Sequence, residues 1–260
     1  MRVISWDDFA SGALKAIPLS ATIGVFDGLH IGHRQLISRV LGLNGISSGV
    51  FTFKVNPKRL HSPDSFAGEL STLAQKLDLL ASMSTDIAVL IDFSGDFSKL
   101  PGRQFLEMLR DGSELHRVAV GADFRCGYRL DTDAEGIRSF CLEYGADMEA
   151  IPAVSWAGHP VSSSRIRKAV RDGRLEDASA MLGRHYELDL RGREATEGRR
   201  WSLGSEQALP PAGRYEASLV YADMASLSVI AEHDGKGNWS LDSTFRVPNA
   251  LGLIRSVSRD

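Results

Sequence analysis

The sequence predicts an α/β protein, with an open parallel sheet whose strands are joined by helices and a small β-domain at the C-terminal end. Short apolar runs alternate with helix-period segments from residue 21 to about 183. Those runs are nearly continuous, as in strands buried on both faces of a parallel sheet. Beyond residue 186 the helical period stops and short strand-like pieces take over.

The chain has 260 residues and 43% hydrophobic content, enough for one large domain or a medium domain with an appendage. A net charge of −3 gives no overall basic field, which argues against nucleic acid as a partner. Cys126 and Cys141 lack metal-type spacing and suit a reducing compartment. Residues 1–9 carry acids where a secretion signal has its apolar core, and no run reaches about 18 apolar residues. The expectation is a cytoplasmic protein with no membrane partner, and no pattern in the chain sets an oligomeric state.

Taken in order, residues 1–20 read as a short strand and helix ending at Pro18, ahead of a first central strand from Ala21 to Phe26. Asp27-Gly28 breaks that strand, and Leu36, Ile37, Val40 and Leu41 then recur at helical spacing. Gly24, Gly28 and Gly32 leave no side chain over this turn, and the N–H groups and dipole of the helix start favour an anion. His30 and His33 lie three apart and can project from one side of the first turn. The arrangement suits a triphosphate.

Gly49 to Phe53 is the next strand, and Lys54-Val55-Asn56-Pro57 a loop. Thr72 and Gln75 form a capping box for a helix carrying Leu73, Leu77 and Leu80, and Ile87 to Ile91 is a strand. Pro101 and Gly112 bracket a helix with Phe105, Leu106 and Leu109 on its apolar face. Val118 to Val120 leads into a loop over residues 121–127. A helix with Ile137, Phe140, Cys141 and Tyr144 stops at Gly145, and Met148 to Val154 is a strand. The turns after 26, 53 and 120 all fall at strand carboxyl ends, where open sheets hold ligands, so they are treated as one site. Ser162, Ser163 and Ser164 cap a further helix with Arg167 one turn in, a second helix start able to hold phosphates. Past the polar stretch from Arg191 to Arg200, strands are expected at Tyr215 to Tyr221, Leu227 to Ala231, Trp239 to Phe245 and Leu251 to Val257. Turns are expected at residues 234–237 and near Pro248-Asn249.

The G-x-F-D-G-x-H-x-G-H run over residues 24–33 resembles the signature of the bacterial FAD synthetase family. The N-terminal domain of that family is an FMN adenylyltransferase of the Rossmann-like HxGH nucleotidyltransferase superfamily. Residues 161–167 resemble its I-S-S-T-x-I-R motif, with Val161 for Ile and Ser164 for Thr. Residues 121–127 resemble G-x-D-F-R-x-G, and the run ending Leu182-Gly183-Arg184-His185-Tyr186 resembles the segment that joins the family's two domains.

The resemblance implies attack of the FMN phosphate on the α-phosphorus of Mg-ATP, giving FAD and pyrophosphate. It implies catalytic contacts to the triphosphate from His30, His33, Ser163 and Arg167. Gly24, Phe26, Asp27, Gly28, Gly32, Ser162 and Ser164 would line the nucleotide, and Asn56, Asp123 and Phe124 the flavin side; turn-making alone is the other role open to Asp27, and core packing the other role open to Phe124. Mg²⁺ would arrive with ATP, with Asp27 and Asp123 the nearest carboxylate candidates and no protein ligand assigned. Where the family has T-F-x-P-H-P, this chain has Asn56, which donates hydrogen bonds but cannot become cationic. Cys126 stands where an aromatic is common. The resemblance also implies a nucleotidyltransferase domain over 1–186 and, over 187–260, a degenerate riboflavin kinase-like remnant. That tail has no P-T-A-N motif, so kinase activity is not expected; only Leu209 to Tyr215 resembles the kinase barrel's strand entry. Two alternatives stand beside this reading: a nucleotidyltransferase for another phosphorylated acceptor, and a non-catalytic flavin- or nucleotide-binding regulator.

Overall fold

A computed structural model of the chain describes residues 1–93, 95–196, 199–204, 206–221, 226–242 and 248–257. Contacts divide the polypeptide into two compact units, one of residues 1–26, 32–61 and 77–155 and the other of 27–31, 62–76 and 156–260. Within the described residues no helix is long and apolar enough to cross a membrane.

The main elements up to residue 182, leaving out a one-turn helix at Pro57–His61, short 3-10 turns and two-residue strands, are in chain order β1 (Arg2–Ser5), α1 (Trp6–Ala10), β2 (Leu14–Ile23), α2 (Ile31–Ser38), β3 (Ser47–Phe53), α3 (Leu73–Ser82), β4 (Ile87–Ile91), α4 (Gly102–Asp111), β5 (Ser113–Gly121), α5 (Ala134–Tyr144), β6 (Asp147–Ile151), α6 (Ser163–Arg171) and α7 (Leu175–Leu182). The first unit is built on a sheet of order β1-β4-β3-β2-β5-β6. Its pairings are parallel throughout. Val50, Phe51, Val89, Ile91, Val118 and Val120 are buried, as the continuous apolar runs require of central strands covered on both faces. β2 pairs with β3 on one side and β5 on the other. The winding reverses there, so the carboxyl end of β2 is the topological switch point where open α/β sheets take ligands.

Pro18 does not end a separate segment. It lies inside β2, at a register shift against β5 between Leu14 and Pro18, and β2 pairs with β3 only from Leu19 onward. A bulge is where a residue without an N–H fits a strand. The strand also stops earlier than expected, at Ile23, because Phe26 takes φ 50° and Gly28 φ 77°, which no strand accommodates. Similarly, β6 ends at Ile151, ahead of Pro152.

Cys141 is fully buried in the core of this unit and Cys126 packs against it. Burial pushes the Cys126 thiol up to about 12 and the Cys141 thiol to about 11. A disulfide reagent at about pH 8 is therefore expected to titrate neither thiol in the native chain and both after unfolding. A rapid native burst of thiol release would contradict this.

The second unit carries α6, α7 and an antiparallel sheet made of β7 (Tyr186–Asp189), β8 (Arg200–Ser202), β9 (Gly213–Val220), β10 (Ser226–His233), β11 (Asn238–Leu241) and β12 (Ala250–Val257), in the order β7-β12-β9-β10-β11-β8. β9 to β12 are the expected strands, except that of Trp239 to Phe245 the part from 243 lies outside the described residues. β7 and β8 were not expected, since each is too short for an alternating pattern. Gly235 and Gly237, at φ 82° and 94°, form the expected turn at 234–237. Tyr186, Leu188, Trp201, Tyr215, Ala217, Trp239 and Leu253 bury the inner face together with Ile166, Val170 and Leu182 of α6 and α7.

Candidate active site

The end of β2 is tied to β3: the Gly24 N–H donates to the Phe51 carbonyl at 3.0 Å, and the Thr52 hydroxyl to the Val25 carbonyl at 3.0 Å. A Cβ on Gly24 would stand 3.0–3.3 Å from carbons of the Phe26 ring, so glycine there leaves that ring room. Phe26 in turn meets the His33 ring edge-on, with centroids 5.2 Å apart and planes at 86°. A half-buried His33 is thus oriented by an aromatic edge contact, worth about 1 kcal/mol.

In the second unit Asp27 is the hub. Its Oδ1 accepts the N–H groups of Leu70 at 2.8 Å and Ser71 at 3.2 Å, and its Oδ2 accepts Nη2 of Arg167 at 2.5 Å. The Ser163 hydroxyl donates to the Asp27 carbonyl at 2.9 Å, and the Gly28 N–H donates to Oγ of Ser71 at 3.1 Å. Arg167 Nε donates to the Gly68 carbonyl at 2.7 Å. Burial raises the Asp27 carboxyl, and the Arg167 guanidinium and the Leu70 N–H oppose that rise. Lys76, also buried, is pushed down by desolvation, against the pull of the Asp27 and Glu69 charges.

The segment that meets Asp27 precedes α3, whose capping box forms as expected. The Gln75 N–H donates to Oγ1 of Thr72 at 3.2 Å, and the Thr72 N–H donates to Oε1 of Gln75 at 3.0 Å. Ser162 caps α6, its hydroxyl accepting the Arg165 N–H at 3.2 Å.

His30, 5% exposed, is pushed to about 4 chiefly by burial; a hydrogen bond to its own backbone opposes this and the Arg184 charge assists. It is a neutral imidazole at neutral pH. The unfolded chain, titrating near 6.5, takes up a proton that the native chain refuses down to about 4. Stability is therefore expected to fall as pH drops through that window, by up to about 3 kcal/mol. Urea unfolding at several pH values in wild type and His30→Gln checks this, because the variant loses that part of the slope.

The remaining expected site residues are placed as follows. Gly32 is half-buried on α2 and Ser164 exposed on α6. Asn56 is buried, and its Oδ1 accepts the Lys58 N–H at 3.1 Å at the start of a short helix, Pro57–His61, where a loop was expected up to Pro57. Asp123 is exposed, while Phe124 packs in part against the core of the first unit. Both line a cavity of about 500 Å³ with Arg125 and Arg138. The structure therefore joins Asp27, Ser163 and Arg167 by hydrogen bonds, pairs Phe26 with His33, and sets Asp123 beside Phe124.

Sequence reasoning missed Gly68, Ser71 and Lys76, and saw Arg184 only as part of a joining segment. Nothing local marks Ser71 or Lys76. The signal available for Gly68 was a glycine shortly before a capping box, and its φ is 88°. Among the described residues no group of three or more His, Cys, Asp or Glu side chains could cage a metal ion. The Asp27 carboxylate, already holding two amides and a guanidinium, does not fit as a metal ligand, whereas Asp123 is exposed.

A parallel α/β sheet with its switch point at β2, a glycine turn there and an H-x-G-H helix start define an HxGH nucleotidyltransferase-type fold, joined to an antiparallel β-unit. A family model described as FAD synthetase matches residues 15–165. The chain belongs to the FAD synthetase family. It is similar to the bifunctional riboflavin kinase/FMN adenylyltransferase of Escherichia coli K12, 30% identical over 177 residues, which cover 65% of this chain and 56% of that protein. The chain thus spans about half the length of such curated relatives. It is also similar to an FAD synthetase of Listeria monocytogenes, 25% identical over 166 residues, 62% of this chain and 67% of that one. A solved structure titled a macrolide-efflux protein, from Streptococcus pneumoniae, shares the fold over all of this chain and 93% of its own, with a TM-score of 0.79 at 20% identity.

Proposed function

We propose that the chain is an FMN adenylyltransferase that transfers AMP from ATP to FMN, giving FAD and pyrophosphate, without riboflavin kinase activity. The observation that carries the reading is the complete G-x-F-D-G-x-H-x-G-H run placed at the switch point of a parallel sheet, with a neutral His30 at its helix start.

The FMN phosphate is already anionic, so the reaction needs no serine or cysteine nucleophile. Catalysis reduces to in-line positioning and to stabilising charge as pyrophosphate departs. The N–H groups at the start of α2 are donors for that charge, His30 and His33 belong to the triphosphate side with them, and so does the helix start at Ser162, Ser163 and Ser164 with Arg167. Gly24, Phe26, Asp27, Gly28 and Gly32 shape the nucleotide side; Asn56, Asp123 and Phe124 belong to the flavin side. Mg²⁺, bound mainly through ATP oxygens, would neutralise phosphate charge, with Asp123 the remaining carboxylate candidate. Residues 1–186 would carry this activity in the cytoplasm, and 187–260 would be the kinase-like remnant.

A second reading, another phosphorylated acceptor in place of FMN, draws on one observation: Asn56 stands where the family has a histidine, and its Oδ1 is engaged by the Lys58 N–H of the short helix that follows. One assay separates the readings. The purified chain is incubated with Mg-ATP and, separately, FMN, riboflavin and other phosphorylated acceptors, and the products are resolved by chromatography. FAD from FMN alone is expected. FMN from riboflavin would overturn the absence of kinase activity, a different adenylylated product would favour the second reading, and tight flavin binding without turnover would leave a regulator.

A further inference from the structure

We infer that Arg167 and Ser163 act as positioning residues: they clasp the turn at Asp27 that leads into α2, and so hold the start of that helix in place. The inference rests on the adenylyltransferase reading and assigns the helix start at α6 a different task from phosphate contact.

The single hydroxyl proton of Ser163 and two of the five N–H groups of Arg167 already have partners within the protein. A serine hydroxyl has one proton to donate, and that of Ser163 goes to the Asp27 carbonyl at 2.9 Å. The guanidinium of Arg167 is buried, at 8% exposure. Its Nη2 is on Asp27 and its Nε on the Gly68 carbonyl, while the Phe66 ring stands 5.3 Å from its central carbon. On the other side, both carboxylate oxygens of Asp27 are taken, one by Arg167 and one by the amides of Leu70 and Ser71.

Such a fork needs two N–H groups in fixed directions, one toward a carboxylate and one toward a backbone carbonyl. Lysine offers charge but not that plane. A phosphate contact, by contrast, is served by a point charge, as phosphate-binding lysines show. The two roles therefore answer differently to the same conservative replacement.

The test measures FAD formation from Mg-ATP and FMN in the full chain, together with ATP affinity by calorimetry, for wild type, Arg167→Lys, Arg167→Gln, Asp27→Asn and the Asp27→Asn/Arg167→Gln double variant. Thermal unfolding of each verifies that it is folded. The clasp predicts that Arg167→Lys falls as far as Arg167→Gln, about 100-fold in kcat, and that the double variant is no worse than the poorer single one. KM for ATP should shift much less than kcat. Arg167→Lys within about threefold of wild type, or losses that multiply in the double variant, would overturn it. If Asp27→Asn does not fold, the lysine and glutamine variants decide alone. Should the wild-type chain make no FAD, the adenylyltransferase reading fails by itself. The clasp is then judged on ATP affinity: the same value in Arg167→Lys and Arg167→Gln supports it, and a lysine variant that keeps wild-type affinity where the glutamine variant loses it sinks it.

Discussion

His33→Ala is expected to lower the rate of FAD formation by about 100- to 1,000-fold, the usual loss when one preorganised donor to a developing oxyanion is removed. The same change should cost only about 1 kcal/mol of stability, because the ring is half-buried and its aromatic contact is the edge of Phe26 at 5.2 Å. The contrast between the two magnitudes is the point of the experiment. A histidine serving only as packing would show the stability loss with activity nearly intact. Steady-state kinetics and urea unfolding on one preparation give both numbers. A loss in kcat and kcat/KM together, with KM for ATP little changed, would place the interaction in the transition state. Activity equal to wild type would remove His33 from the mechanism.

How far such residues can be read from sequence depends on whether their signal is local. The capping box at Thr72 and Gln75, the strand Ile87–Ile91 and the helix bracketed by Pro101 and Gly112 are set by neighbours within a few positions, and they stand where expected. Pro18 was misread because a proline breaks a central strand in general, and only the pairing with β5 reveals the bulge that admits it. The candidate site divides the same way. The glycine turn and its histidines are contiguous and were legible. The hydrogen bonds of Asp27 were not, since its partners lie at 68–71 and 163–167, and a carboxylate named only as a candidate metal contact is surrounded by protein donors. Lys76 was invisible for the same reason: on a helix it reads as a solvated cation, and only the fold buries it beside Asp27 and Glu69.

The residues around Asp27 depend in turn on one glycine. Gly68 holds φ 88°, and a Cβ there would lie 2.5 Å from the backbone N of Ala208 and C of Gln207 and 2.7 Å from the Gln207 carbonyl oxygen. These are backbone atoms and cannot swing aside. They belong to the bridge in which Glu69 donates to the Glu206 carbonyl and accepts from the Ala208 N–H, both at 2.8 Å. Gly68→Ala is therefore expected to destabilise the chain by about 3 kcal/mol or more, from left-handed strain plus an overpacked contact that opens the bridge. Gly45→Ala isolates the first term: φ is 74° and nothing lies within 4 Å of the added carbon, so about 1 kcal/mol is expected. Urea unfolding of the two variants beside wild type measures the difference. Because Gly68 also supplies the carbonyl on Arg167, and Leu70 and Ser71 supply the amides on Asp27, any Gly68→Ala protein that still folds should lose activity as well. Equal stability losses at positions 68 and 45 would mean that the second unit absorbs the extra methyl by moving backbone. The turn at Asp27 would then be looser than these distances describe.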